Sequence, residues 1–162
     1  MNRLLVGLLL LGTLGLDTAL AQSPLIAAAR DGYRSTALAL LGERADVNAT
    51  EPDGTPALHY AVHNDDLEFA KRLLAAGAKA DAANDYGSTP LSEAAIVGNA
   101  KMLAALLDAG VDVDAKNADG QTALMVVARG GQLDAVELLL ARGADVNARE
   151  QRKGQTALMW AV

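Results

Sequence analysis

The sequence contains no cysteine, which excludes disulfide cross-links, thiolate metal sites and lipid attachment through an N-terminal cysteine. Aromatic side chains are scarce, with Tyr33, Tyr60, Phe69, Tyr86 and Trp160 the whole complement. Because 51% of the 162 residues are hydrophobic, chiefly alanine and leucine, element interfaces must be built from small side chains. That composition suits a thin all-helical stack. There is no basic excess either. A net charge of −6 argues against general nucleic-acid binding, which needs cationic surface to displace counterions from phosphate. The apolar run from Leu4 to Leu16 is shorter than the ~20 residues of a spanning helix.

Catalytic and metal-binding patterns are also missing. The chain has no G-x-S-x-G elbow, and its glycines do not follow a phosphate-loop spacing. His59 and His63 stand four apart on one helical segment, but Tyr60 follows His59 where a zinc-binding H-E-x-x-H pair has glutamate. Asp112, Asp114 and Asp119 hint at a calcium loop, yet counting from Asp112 places Lys116 at position five and Ala123 at position twelve, where ligands are required. Neither an enzymatic site nor a cofactor or metal site is expected. Asp46, Asp81, Asp112 and Asp145 are better placed as turn residues offering short acceptors to nearby backbone donors.

What is present is a period. Gly54, Gly87 and Gly120 stand 33 residues apart and Gly154 follows after 34; Leu58, Leu91, Leu124 and Leu158 keep the same step. Leucine pairs at 40–41, 73–74, 106–107 and 139–140 repeat it again. A fixed period in this range marks a stacked repeat. In the unit from Gly87 to Asp119, Thr89 is suited to cap a helix and Pro90 to open it. The helix is expected to run to about Val97, with Gly98 turning into a second helix from Asn99 or Ala100 to Ala109. The second helix should bury Ala100, Leu103, Leu106 and Leu107 and stop at Gly110. Helices this short are marginal alone and must stack on their neighbours.

The segments TPLSEAA, LLDAG and VDVDAKNADG resemble the TPLHxAA, LLxxG and ADVNAxDxxG segments of the ankyrin repeat, in register along nearly everything after residue 21. The resemblance implies an all-α solenoid of antiparallel helix pairs with projecting hairpin fingers, used to bind other macromolecules. It also gives His59 a local hydrogen-bonding role between repeats.

Taken in order, residues 1–21 read as a secretory signal peptide: Arg3, the apolar run, then Ala19-Leu20-Ala21 before Gln22. Glycines 7, 12 and 15 weaken the rival reading of a membrane anchor. The mature chain is expected to begin at Gln22 and to be exported, periplasmic or extracellular, with no membrane contact after cleavage. Residues 22–162 hold four repeats and the start of a fifth. In the first, Ser23 should cap the helix opened by Pro24, and Arg44 replaces the terminal glycine. In the second, Pro56 predicts a first helix beginning one residue early, Asp65 replaces the inter-helix glycine, and Leu67, Ala70, Leu73 and Leu74 form the buried face. The fourth should bury Leu133, Val136, Leu139 and Leu140. The fifth stops at Val162 inside its first helix, which reads as a truncation of a longer protein that leaves the apolar face of unit four partly uncovered.

The function expected is a non-catalytic protein-interaction module. The alternative is an N-terminal recognition arm of a longer exported enzyme or receptor. Family resemblance places the partner on the fingers and the exposed face of the first helices. It selects Thr50, Asp53, His63 and Asn64 in unit two, and Asp85, Tyr86, Ser88, Ile96 and Val97 in unit three. Farther on it selects Lys116, Asp119, Gln121, Arg129, Arg149, Arg152, Lys153 and Gln155. An acidic or mixed-charge protein should dock on Tyr86 and Val97, with Arg129 and Arg149 speeding its approach.

Overall fold

A computed structural model describes residues 23–161; the segment read as a signal peptide, the cleavage point expected before Gln22, and Val162 lie outside the described residues. Four helix pairs follow one another. They are α1 (Pro24–Arg30) with α2 (Arg34–Gly42), α3 (Ala57–His63) with α4 (Leu67–Ala75), α5 (Pro90–Val97) with α6 (Ala100–Asp108), and α7 (Ala123–Gly130) with α8 (Leu133–Ala141). A last short helix, α9 (Ala157–Trp160), opens the fifth unit. The first helices α1, α3, α5, α7 and α9 pack each on the next; α2, α4, α6 and α8 do the same in a second layer. No strand forms among the described residues, which carry two isolated antiparallel bridges, Thr50 with Pro56 and Lys116 with Thr122.

Local chemistry sets the helix starts. The Thr89 hydroxyl accepts from the Ser92 amide at 3.2 Å, and the Ser92 hydroxyl accepts from the Thr89 amide at 2.9 Å. This reciprocal box satisfies two donors at the start of α5. Asn99 and Asp66 cap α6 and α4 through their side chains. Ser23 occupies the cap position of α1, but its side chain makes no capping bond. Pro56 does not start α3 early. It stays extended, φ −88° and ψ 169°, outside a helix that begins at Ala57. Ala57, Pro90, Ala123 and Ala157 thus all lie three residues after the finger glycine, so the stack sets the register and overrides the proline.

Left-handed backbone appears at two positions where another residue replaces a repeat glycine, Asp65 (φ 54°) and Arg44 (φ 62°). For a side-chain-bearing residue this costs about 1–2 kcal/mol. Each finger closes as a tight turn: Asn84 donates its amide to the Ser88 carbonyl at 3.0 Å, and Asn117 does so to Gln121 at 3.0 Å. The side chains of Asp46, Asp112 and Asp145 accept from the amide two residues on, at 2.9, 3.0 and 2.8 Å. Neighbouring fingers are joined by polar bonds. Asn48 bridges to the Gly77 carbonyl and the Lys79 amide, and Asp114 accepts from the Asp145 amide at 2.9 Å.

The buried face of the second helices is rotated from the one the leucines indicate. In α4 it is Phe69, Ala70 and Leu73, and in α6 it is Met102, Leu103 and Leu106. Ala100, Leu107, Leu67 and Leu74 are only partly buried. In α8 only Ala135 and Leu139 are buried; Val136 is partly buried, whereas Leu133 is 72% and Leu140 44% exposed. The cause is placement. α8 packs against α6 on one side, and no further second-layer helix lies on its other side among the described residues. An open apolar groove of about 320 Å³ runs there, along Val136, Leu140, Val146 and Leu158.

Candidate partner-binding surface

The site lies where the finger of unit three meets the first helix of that unit and the finger of unit four. Tyr86 stands at the tip of the turn that Asn84 holds through its Oδ1, which accepts from the amides of Tyr86 and Ser88 at 3.1 and 3.0 Å. Gly87 follows at φ +69° and lies against Ala118 of the next finger. This leaves Tyr86 73% exposed. One and a half turns into α5, Ile96 is 61% exposed. Tyr86, Ser88, Ser92, Glu93, Ile96, Asn117 and Asp119 border one groove of about 220 Å³.

A second groove of about 220 Å³ adjoins it and shares Glu93 as a wall, with His59, His63, Tyr60, Thr55 and Asn84 around it. The Glu93 carboxylate accepts from the Ser88 hydroxyl through Oε1 at 2.6 Å, and its Oε2 lies 3.8 Å from His63 Nδ1. His59 is buried, and its Nε2 donates to the Ser88 carbonyl at 2.9 Å. That bond ties unit two to unit three, as the resemblance implies. A carbonyl only accepts, so Nε2 carries the proton and Nδ1 presents a lone pair. Nδ1 has no partner. Burial disfavours the imidazolium and holds the His59 pKa below its usual 6.5.

Of the residues selected from the sequence, Tyr86, Ser88, Ile96 and Asp119 come together in one groove, and His63 joins them across Glu93. The others fall elsewhere. Val97 is solvent-exposed but does not line the groove. Asn64 donates to the Ala29 carbonyl at 3.1 Å and so tethers unit one. Asp53 accepts from the Thr55 amide at 3.0 Å, which lowers its pKa, and its carbonyl accepts from the exposed Asp85. Gln121 accepts from Asn117 Nδ2 at 3.2 Å.

The basic residues gather at the last units and are partly engaged within the chain. The Arg129 guanidinium lies 5.0 Å over the Trp160 ring, Arg149 donates to the Gly154 carbonyl at 2.7 Å, and Lys116 Nζ donates to the Arg149 carbonyl at 3.3 Å. Arg152 and Lys153 project from a turn whose amides are held by the Glu150 carboxylate, and Thr50 and these two side chains are exposed. Gln155 donates its amide to the same carboxylate at 2.9 Å.

Glu93 was not selected from the sequence. Its repeat position, six after the finger glycine, holds Tyr60, Val126 and Trp160 in other units. A carboxylate in that series was the available signal.

Among the described residues no cluster of histidine and carboxylate side chains is arranged to hold a metal, and no helix is long and apolar enough to cross a membrane. No curated protein matches the chain. Ankyrin repeats generally serve as protein-protein interaction modules and are generally non-catalytic. The family model for ankyrin repeats (3 copies) matches residues 25–117 and again 106–162, the stretch that carries the helix pairs and fingers described above; the chain belongs to the ankyrin-repeat family.

Proposed function

We propose that this chain is a non-catalytic, exported binding module whose protein partner seats on the groove bordered by Tyr86, Ile96 and Glu93. The observation that carries the proposal is the pairing of two large exposed side chains, Tyr86 and Ile96, across one concavity rimmed by polar groups. An aromatic anchor within a polar rim is the usual layout of a binding hot spot. The partner is of mixed charge. Its acidic part faces the arginines and lysines of the last fingers, whose field acts on the rate of encounter more than on the affinity. Cleavage after Ala21 would place the mature module in the periplasm or outside the cell, and N-terminal sequencing of exported protein beginning at Gln22 would support it.

The test is an affinity measurement with a partner captured on the wild-type chain. Tyr86→Ala is expected to weaken binding by about 2 kcal/mol or more. Arg149→Glu should slow association, most at low ionic strength. Unchanged binding in both variants, with the helical circular dichroism intact, would move the site to another face.

A further inference from the structure

The groove accepts hydrogen bonds and carries negative charge, and that combination bears on what enters it. Glu93 and Asp119 both border it, and no lysine or arginine does. Elsewhere, several carboxylates are met by guanidinium groups: Asp66 by Arg34 at 3.4 Å, Asp108 by Arg142 at 2.9 Å, Glu51 by Arg30 at 2.9 Å. Glu93 has no arginine or lysine partner among the described residues; its ionic neighbour is His63, mostly exposed and 3.8 Å away. Tyr86 supplies an exposed aromatic face at the mouth. A carboxylate largely withdrawn from solvent, with no cationic side chain beside it but the exposed His63, and an open phenol ring match one kind of group. It is planar, cationic, donor-only, and stacks on aromatic faces.

Resting on the reading of this groove as the partner's seat, we propose that the partner inserts an arginine side chain between Tyr86 and Ile96, with its guanidinium paired to Glu93. The long aliphatic stem covers Ile96 while the fork donates to the carboxylate. Lysine offers a point charge without the stacking plane and fits less well. A glutamate at the same place faces two carboxylates and is repelled.

The experiment titrates the folded protein with three terminally blocked glycine-serine heptapeptides that differ only in two internal residues: arginines, lysines or glutamates. Binding is read by backbone amide NMR shifts. The arginine peptide is expected to shift the Tyr86, Ser88, Glu93 and Ile96 amides saturably, the lysine peptide to bind more weakly, and the glutamate peptide not to bind there. Glu93→Gln keeps an oxygen for the Ser88 hydroxyl and should lower arginine-peptide affinity at least about tenfold. Asp119→Asn, at an exposed finger position, should lower it less. Each variant is checked for an unchanged amide spectrum away from the groove. Saturable binding of the glutamate peptide at these amides, arginine-peptide shifts confined to another face, or no saturable shift would overturn the arginine assignment. Those outcomes are separate from failure of the groove as the partner's seat, which is read from Tyr86→Ala with the captured partner and makes no use of the peptides.

Discussion

Replacing Leu106 by alanine is expected to lower the unfolding free energy by about 2–5 kcal/mol. Leu106 is wholly buried in α6, the middle of the second layer, with α4 on one side and α8 on the other. Its counterparts one repeat away, Leu73 and Leu139, are also wholly buried, so a row of leucines runs along the stack and Leu106 lies inside it. A void there borders two inter-repeat interfaces. Neither side can collapse into it without shifting a neighbouring repeat, which places the loss toward the upper part of that range. The same substitution at Leu140, which is 44% exposed, should cost only about 1 kcal/mol because barely more than half of its surface is withdrawn from water and no close-packed void is left. Urea unfolding followed by circular dichroism compares the two. Equal losses would mean that the row of leucines is not what holds the stack together.

Gly87→Ala is the second large effect, about 2–5 kcal/mol from two separate causes. At φ +69° an alanine is held in the left-handed region at about 1–2 kcal/mol. Its Cβ would also stand 2.7 Å from the Cβ of Ala118 on the next finger, and relieving such an overlap costs about 1–3 kcal/mol. Gly110→Ala isolates the first cause. Gly110 has φ +92° and open space where a Cβ would go, so it should lose only the backbone part. The difference between the two midpoints measures how tightly the fingers of units three and four stack. If the two variants unfold together, finger contact contributes nothing measurable.

Helix boundaries were legible where one residue type has one physical use. Thr89 before Pro90 marks the start of α5, and Gly110 after the leucine pair marks the end of α6. These signals are local, and the chain obeys them. The Pro56 signal is equally local, yet α3 ignores it, because a helix that started one residue early would be out of register with α1 and α5 on either side. The buried faces were less legible. Leucine periodicity pointed to Ala100 and Leu107 and passed over Phe69 and Met102, which turn inward because the second layer leans on the first. Leu133 looks like core by composition and is exposed because burial depends on what packs beside it. In the candidate site, Tyr86 and Ile96 could be chosen as exposed apolar residues of a finger and a first helix. Glu93 could not be weighed until its distances to Ser88 and His63 were known.

The most direct test of the partner groove is site-specific cross-linking with a photoreactive side chain placed, one at a time, at positions 86, 96 and 137. Glu137 is exposed on α8 in the second layer, away from the residues that border the groove. The groove predicts a discrete partner adduct from positions 86 and 96 that excess unlabelled wild-type chain suppresses, and none from position 137. An adduct from position 137 with none from 86 or 96 would contradict it.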